Sequence, residues 1–522
     1  MYVPDLVAHG AARAPERPCI VQDPFPTLTF ADVDDRASRL VRAFADAGLR
    51  RGDRVALLAP NEPEFLELQA ACQRAGTVLV PLNFRLTATE LHHIVTDCSP
   101  RLLLHGRGCA AKAEQLGAAT VWHLGVDGQG SSYDAVLADS SPATWDPPLA
   151  DSLAQIVYTS GTTGRPKGAA VSNGALFSRI ATLRADIAMD EHDVFLQTLP
   201  LFHIANTLSF AFATAAATCI TVAAFDADAV LAICDRMHVT HTLVVPTIIA
   251  ALVAALPRIP QAFNAMQRVM YGAAPISPDL LERARRAFGC GFAQLYGMTE
   301  SGIGVMLDPD DHALLGTWDQ PAAGRDLGFY RTAVRRPDGR QAAAGEVGEI
   351  TITGPGLFDH YWQNPAATAD TLRAGWVHTG DAGFRDAKGY LHITDRIKDV
   401  IITGGENVYS PEVEATLSEH PDVVDVAVIG LPDERWGQAV HALIVARTTV
   451  DPTELDQHCR RQLGAYKCPK TYEFVTELPR NAAGKLLKHR LRDERTASAR
   501  RWRRPSPPRP NTPCCATPSA SC

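Results

Sequence analysis

Between residues 27 and 100, short apolar runs alternate with stretches of helical period, and this alternation constrains the fold more than any other feature. Residues 27–30 predict a strand, 32–47 a helix with Gly48 where a C-cap falls, and 55–58 a buried strand. Helical spacing returns at 63–74 and extended character at 78–82. The rhythm resumes at 194–197, 227–237, 242–245, 268–271, 277–288 and 292–295. Strand, helix, strand in this order predicts an α/β fold. Its sheets are doubly wound and mostly parallel, with helices on both faces and ligand crevices beyond the carboxyl ends of the strands.

A chain of 522 residues exceeds one ordinary core, so two or more domains are expected. The composition shifts near 395–398, which divides a large N-terminal domain, 1–395, from a small α+β domain, 396–495. Within the large part, short strands and Gly turns at 345–381 predict a β-rich subdomain spanning about 325–395. In the small part, 411–419 and 452–463 read as helices, 423–430 and 439–446 as strands. Residues 108–148 lose periodicity and read as a variable connection. The Arg-, Pro- and Cys-rich segment 496–522 cannot bury a core and is expected to be disordered. A net charge of −8 supplies no basic field, which argues against nucleic acid as a partner. No apolar run is long enough for a transmembrane segment, and the first residues lack the basic and apolar regions of a secretory signal. Twelve cysteines without a Cys-x-x-Cys pair suit reduced, buried thiols, so a cytoplasmic location is expected.

The chemistry gathers in a few motifs. Thr159, Ser160, Gly161, Thr162, Thr163 and Gly164 follow a buried strand at 153–157, with Lys167 just beyond. Small residues let amide groups converge on an anion, the hydroxyls add donors, and lysine adds a point charge suited to phosphate. No Walker A pattern can be drawn through them. Tyr296, Gly297, Met298, Thr299 and Glu300 end another strand, offering an aromatic face, a hydroxyl and a hard oxygen for Mg²⁺. Gly272, Ala273 and Ala274 follow a third. Asp381 stands after a Gly turn, and Arg396 and Lys398 lie at the compositional boundary. Gly404 and Gly405 open a loop beyond it, and Lys485 sits on a Gly-preceded turn. Taken singly, these also fit a hydroxyl-rich surface turn, a helix-starting acid, an Asx turn, solvated charges and a surface lysine. His203 alone equally fits a satisfied core histidine.

Together and in this order, from about residue 28 to 491, the motifs resemble the adenylate-forming superfamily of acyl-CoA synthetases, luciferases and peptide-synthetase adenylation domains. The resemblance implies an ATP-dependent acid–thiol ligase, most like fatty-acyl-CoA ligases. Such an enzyme makes acyl-AMP and pyrophosphate, then acyl-CoA and AMP. By that resemblance the 159–167 loop grips phosphates, and Gly272, Ala273 and Ala274 line the adenine and acyl pocket. Tyr296 meets the purine, Thr299 a phosphate, and Glu300 holds Mg²⁺. Asp381 and Arg396 contact the ribose. Lys398 is the hinge of the C-terminal domain, Gly404 and Gly405 wall the pantetheine tunnel, Lys485 is the catalytic lysine, and His203 gates the acyl pocket. ATP, Mg²⁺ and coenzyme A are the implied cofactors and a carboxylic acid the substrate; a homodimer is admitted but not required.

His360 departs from the family pattern, standing where relatives carry Gly before Tyr361 and Trp362, which implies a different turn or strain. Residues 202–208 and 271–275, the expected acyl lining, hold no Lys or Arg for a second carboxylate and no Asp for an amino group. An apolar chain or ring is therefore favoured. Transfer to a separate carrier protein is the alternative, since no carrier module follows Lys485.

Overall fold

The computed structural model describes residues 3, 5–22, 27–124, 132–159, 166–274, 276–317, 321–403, 406–433, 435–480 and 486–502. Its contacts gather into two compact units that meet in sequence between Lys398 and Asp399.

The first unit is built on two sheets. In the smaller, Arg54–Leu58 lies between Val78–Leu82 and Leu102–His105, all parallel, and Leu153–Thr159 joins in parallel beyond Val78–Leu82. In the larger, the strands Pro18–Val21, Thr218–Thr221, Val194–Gln197, His241–Val244, Arg268–Gly272 and Gly291–Met298 run parallel. The helix Asn206–Thr214 is buried along its whole length and Glu64–Ala75 along nearly all of it. A helix with no wet face has to sit between layers. Phe65 of one stacks on Phe210 of the other with centroids 6.1 Å apart. Phe195 of the larger sheet stacks on Phe212 at 4.5 Å.

The β-rich region continues the larger sheet. From Gly291–Met298 onward its pairs become antiparallel, through Gly302–Leu307, Ala322–Asp326, Leu391–Arg396, Trp376–Arg385 and Gly348–Thr353 to Arg331–Arg335. Gly291–Met298 is thus the strand at which the sheet changes sense.

The second unit packs helices on both faces of a sheet centred on Val423–Asp433 and Gly437–Ala446. Strand alternation sends Val426 and Val428 into one core with Val413, Leu417 and Leu455. Ala427 and Ile429 face the other core with Leu478 and Leu491.

Four expectations need correction. Residues 28–29 form the short strand expected, but Phe30 starts the helix Phe30–Asp46, because Thr29 and Asp32 close a capping box. The 108–148 connection is not featureless: Val121–His123 extends the smaller sheet beside Leu102–His105, too short to show a period. The terminal helix Lys488–Trp502 runs into the segment expected to be disordered, favoured by its Arg, Lys and Glu content and an i,i+4 pair of Arg490 with Glu494. Residues 503–522 lie outside the described residues. His360 is unstrained, since it forms an extended pair with Ala170; the left-handed non-Gly residue nearby is Gln363, at φ 48°.

Candidate active site

Two side-chain clusters grow from the end of Gly291–Met298. A register shift between Tyr296 and Gly297 bends this strand against its partner. The Tyr296 hydroxyl donates to Asp381 Oδ2 at 2.8 Å. Asp381 pairs across the strands with Arg396, whose Nε lies 3.5 Å from Asp381 Oδ1. Burial and the Asp381 charge push the Tyr296 phenol well above its ordinary range, so it stays a donor. The turn bearing Asp381 is braced: Gly380 takes φ 72°, its N–H donates to Glu349, and Glu349 also holds His378 Nδ1 at 2.7 Å. The result is a carboxylate fixed between a phenol and a guanidinium, with acceptor capacity left for hydroxyl groups.

Glu300 heads the second cluster. It is 4% exposed, and burial raises its carboxyl above the ordinary range. Tyr361 donates its hydroxyl to Glu300 Oε1 at 2.5 Å. The Tyr361 ring also lies 5.1 Å from Lys167 Nζ, within cation–π range. Fully buried Arg179 donates to the carbonyls of Thr299 at 2.9 Å and Gly356 at 2.6 Å. The Phe358 N–H donates to the Glu300 carbonyl at 2.7 Å. Arg179 and Phe358 thereby clamp residues 299–300 to the 356–358 loop.

Lys167 opens a strand that linear reading missed, Lys167–Ser172, antiparallel to Leu153–Thr159 with Thr159 opposite Lys167. The hydroxyl-rich loop is therefore joined at both ends to paired strands. A Cβ on Gly168 would meet Ile156 at 2.7 Å and Tyr158 at 2.9 Å, so only glycine fits beside Lys167. Ser160, Gly161, Thr162, Thr163 and Gly164 lie outside the described residues, as do Gly404, Gly405 and Lys485. Lys398 is exposed and ends the first unit.

Gly272 admits no side chain, because a Cβ would stand 2.4 Å from the Leu295 carbonyl oxygen. Ala273 holds φ 65°, and both Ala273 and Ala274 are exposed. Tyr271, expected in the acyl lining, is instead packed in the core, its hydroxyl 3.1 Å from His312 Nε2.

His203 Nε2 is buried and has no hydrogen-bond partner among the described residues. Burial, with Arg85 adding repulsion, pushes its imidazole down to about 4. Arg85 follows Phe84, whose ring meets Phe202 edge-on at 5.8 Å. A cation absent from the expected lining is thus brought to bear on His203. The His203 loop is held by Asn61, which donates to Leu199 and Val222 carbonyls at 3.1 Å and accepts from Leu201 N–H at 2.8 Å. Asn206 Nδ2 adds a bond to Leu201 O at 3.2 Å.

The neutral His203 has a consequence for stability. Unfolded chain takes up a proton near pH 6.5, whereas the folded imidazole resists until about 4. Stability from this group therefore falls as pH drops through that window, by about 3 kcal/mol once both values are passed. Urea midpoints of His203→Phe, measured from pH 7 to pH 4, are expected to fall less than those of the parent chain. Parallel curves would mean that His203 is not held neutral.

Known proteins bear on these clusters. The AMP-binding enzyme family matches residues 7–362, and the AMP-binding enzyme C-terminal domain matches 412–485. The fatty acid–[acyl-carrier-protein] ligase ScoC of Streptomyces coeruleorubidus is 37% identical over 90% of this chain and 91% of its own. A feruloyl-CoA synthase of an Amycolatopsis species is 39% identical over 89% and 93%. Among solved structures, ATP-bound MatB of Rhodopseudomonas palustris superposes with a TM-score of 0.86 at 33% identity, covering 94% of this chain and 99% of MatB.

Proposed function

We propose an acid and an acceptor for a chain that belongs to the AMP-binding enzyme family and is an AMP-forming acyl-CoA synthetase. The acid is apolar, a fatty chain or a ring, and the acceptor is the thiol of free coenzyme A. One observation carries the assignment of roles: the Tyr296–Asp381–Arg396 and Glu300–Tyr361–Lys167 clusters arise four residues apart at one strand end. The first suits a ribose and purine, the second a phosphate chain.

A carboxylate and a triphosphate repel each other, so adenylation depends on charge neutralisation at the attacking and leaving oxygens. Lys167 faces the leaving phosphates, and Lys485 is assigned to the carboxylate and α-phosphate. Mg²⁺ fits the donor chemistry, because a buried carboxylate with one oxygen held by a phenol keeps the other for a hard cation that takes its remaining ligands from phosphates. When bound it would supply charge neutralisation at the phosphate oxygens. Acyl-adenylate is open to attack by water, so water exclusion during the first step and thiol access during the second are separate demands. Rotation about Lys398 is assigned to the change between them. Lys398→Pro is therefore expected to spare acid-dependent pyrophosphate exchange while cutting thioester formation by about 10²-fold or more. Equal losses in both assays would remove Lys398 from this role.

We assign the reaction to the cytoplasm, a reading supported by the need for ATP and coenzyme A and by cysteines whose spacing suits reduced thiols. The likeness to a fatty acid–[acyl-carrier-protein] ligase favours a second reading, in which the same acyl-adenylate loads a carrier pantetheine. A panel of fatty and aromatic acids, followed by AMP release with free coenzyme A or with a holo carrier protein, tests both. AMP release requiring one acid class and free coenzyme A supports the first; turnover with the carrier alone replaces it with the second.

A further inference from the structure

We propose that Tyr361 is a positioning residue for the nucleotide site, locking one oxygen of Glu300 and tethering Lys167 through its ring. The inference rests on reading Glu300 as the carboxylate that faces magnesium. Tyr361 is 5% exposed, and three contacts fix its orientation. Its backbone pairs with Ala169 in the register that also carries Lys167. Its N–H donates to Thr368 Oγ1 at 2.9 Å. Its ring meets Phe358 edge-on at 4.9 Å. A ring so constrained delivers its hydroxyl to Glu300 Oε1 without rotamer freedom to lose.

The consequence is division of labour on one carboxylate. A free Glu side chain offers two equivalent oxygens and can turn either toward a cation. With Oε1 committed to a neutral donor, the carboxylate plane is set before metal or nucleotide arrives, and Oε2 is the oxygen left to face a cation. Because the same ring lies beside Lys167 Nζ, the metal-facing carboxylate and the phosphate-facing lysine share one rigid support. Tyr361 has no bond to make or break in the reaction, so its effect has to pass through its two neighbours.

The test compares Tyr361→Phe, Glu300→Gln and the double variant. Two readouts are used: the magnesium concentration for half-maximal AMP release, and Mn²⁺ binding to the ATP-loaded protein followed by electron paramagnetic resonance without acid. Tyr361→Phe keeps the ring and is expected to raise both half-saturation values by about tenfold, leaving KM for the acid unchanged. Added to Glu300→Gln it should shift neither value further, since its action goes through that carboxylate. Tyr361→Leu, which also removes the ring, should in addition raise KM for ATP as Lys167 loses its support. Unchanged metal half-saturation in Tyr361→Phe, with a clear shift in Glu300→Gln, overturns the role of Tyr361 alone. No shift in Glu300→Gln overturns the magnesium reading and the inference together. Additive shifts in the double variant overturn the route through Glu300.

Discussion

Lys485→Ala is expected to slow acyl-adenylate formation by about 10³-fold, while transfer from preformed acyl-adenylate to the thiol stays near the parent rate. The two half-reactions differ in where charge develops. In the first, a carboxylate approaches the α-phosphate, and a cation placed between them lowers the barrier in proportion to the charge that accumulates. In the second, the acyl carbon is already bonded to a good leaving group and the nucleophile is a thiol, so the same cation has little to stabilise. Lys485 stands in Gly484-Lys485-Leu486, at the end of the C-terminal family match. Acid-dependent exchange of labelled pyrophosphate into ATP reports the first step, and thioester formation from synthetic acyl-adenylate reports the second. A comparable loss in both would show that Lys485 supports the fold or binds a shared ligand.

Gly297→Ala is expected to damage the fold and the nucleotide site together. A Cβ there would stand 2.0 Å from the Gly302 carbonyl oxygen and 2.9 Å from Ile303 Cα. Both are backbone atoms of the paired strand, so no side chain can swing aside and the strands have to separate. The expected cost is about 3 kcal/mol, at the upper end of overpacking. The function should suffer more than the stability, because Gly297 lies between Tyr296 and Glu300, and opening this turn displaces both clusters at once. Gly289→Ala makes the comparison. That glycine caps its helix at φ 67° with nothing among the described residues within 4 Å of a Cβ, so the change carries only left-handed strain, about 1 kcal/mol. Thermal unfolding together with kcat/KM for ATP should show both losses in Gly297→Ala and a modest stability loss alone in Gly289→Ala. Unaltered kcat/KM in a folded Gly297→Ala protein would detach the strand end from the nucleotide.

What local patterning specifies, it specified here: the parallel strands and their helices come from periods of two and 3.6 residues, which neighbours in sequence carry by themselves. Tyr296, Glu300, Asp381 and Arg396 stood out in the sequence only because their motifs together resemble a nucleotide-binding family; singly, each also fits a turn or a solvated charge. The rest depended on long-range contact. Lys167–Ser172 is rich in small residues and has little strand propensity of its own, and it becomes a strand only by pairing with Leu153–Thr159. Tyr361 reaches Glu300 across 61 residues, and Arg179 reaches Thr299 across 120. Tyr361 belongs to the Tyr361-Trp362 pair of the family pattern, but nothing local signals its reach to Glu300, and Arg179 carries no signal beyond being an arginine on a helix. Arg85 escaped notice for a related reason, since its bearing on His203 exists only once two distant loops are folded together.

The central claim is that ATP is split between its α and β phosphorus atoms by attack of a carboxylate. Incubating the protein with ATP, magnesium and a carboxylic acid labelled with ¹⁸O in its carboxyl group, then analysing the AMP released on adding coenzyme A, tests it most directly. One labelled oxygen in AMP, with pyrophosphate as co-product, is the expected result. Unlabelled AMP, or ADP and phosphate in its place, would contradict it.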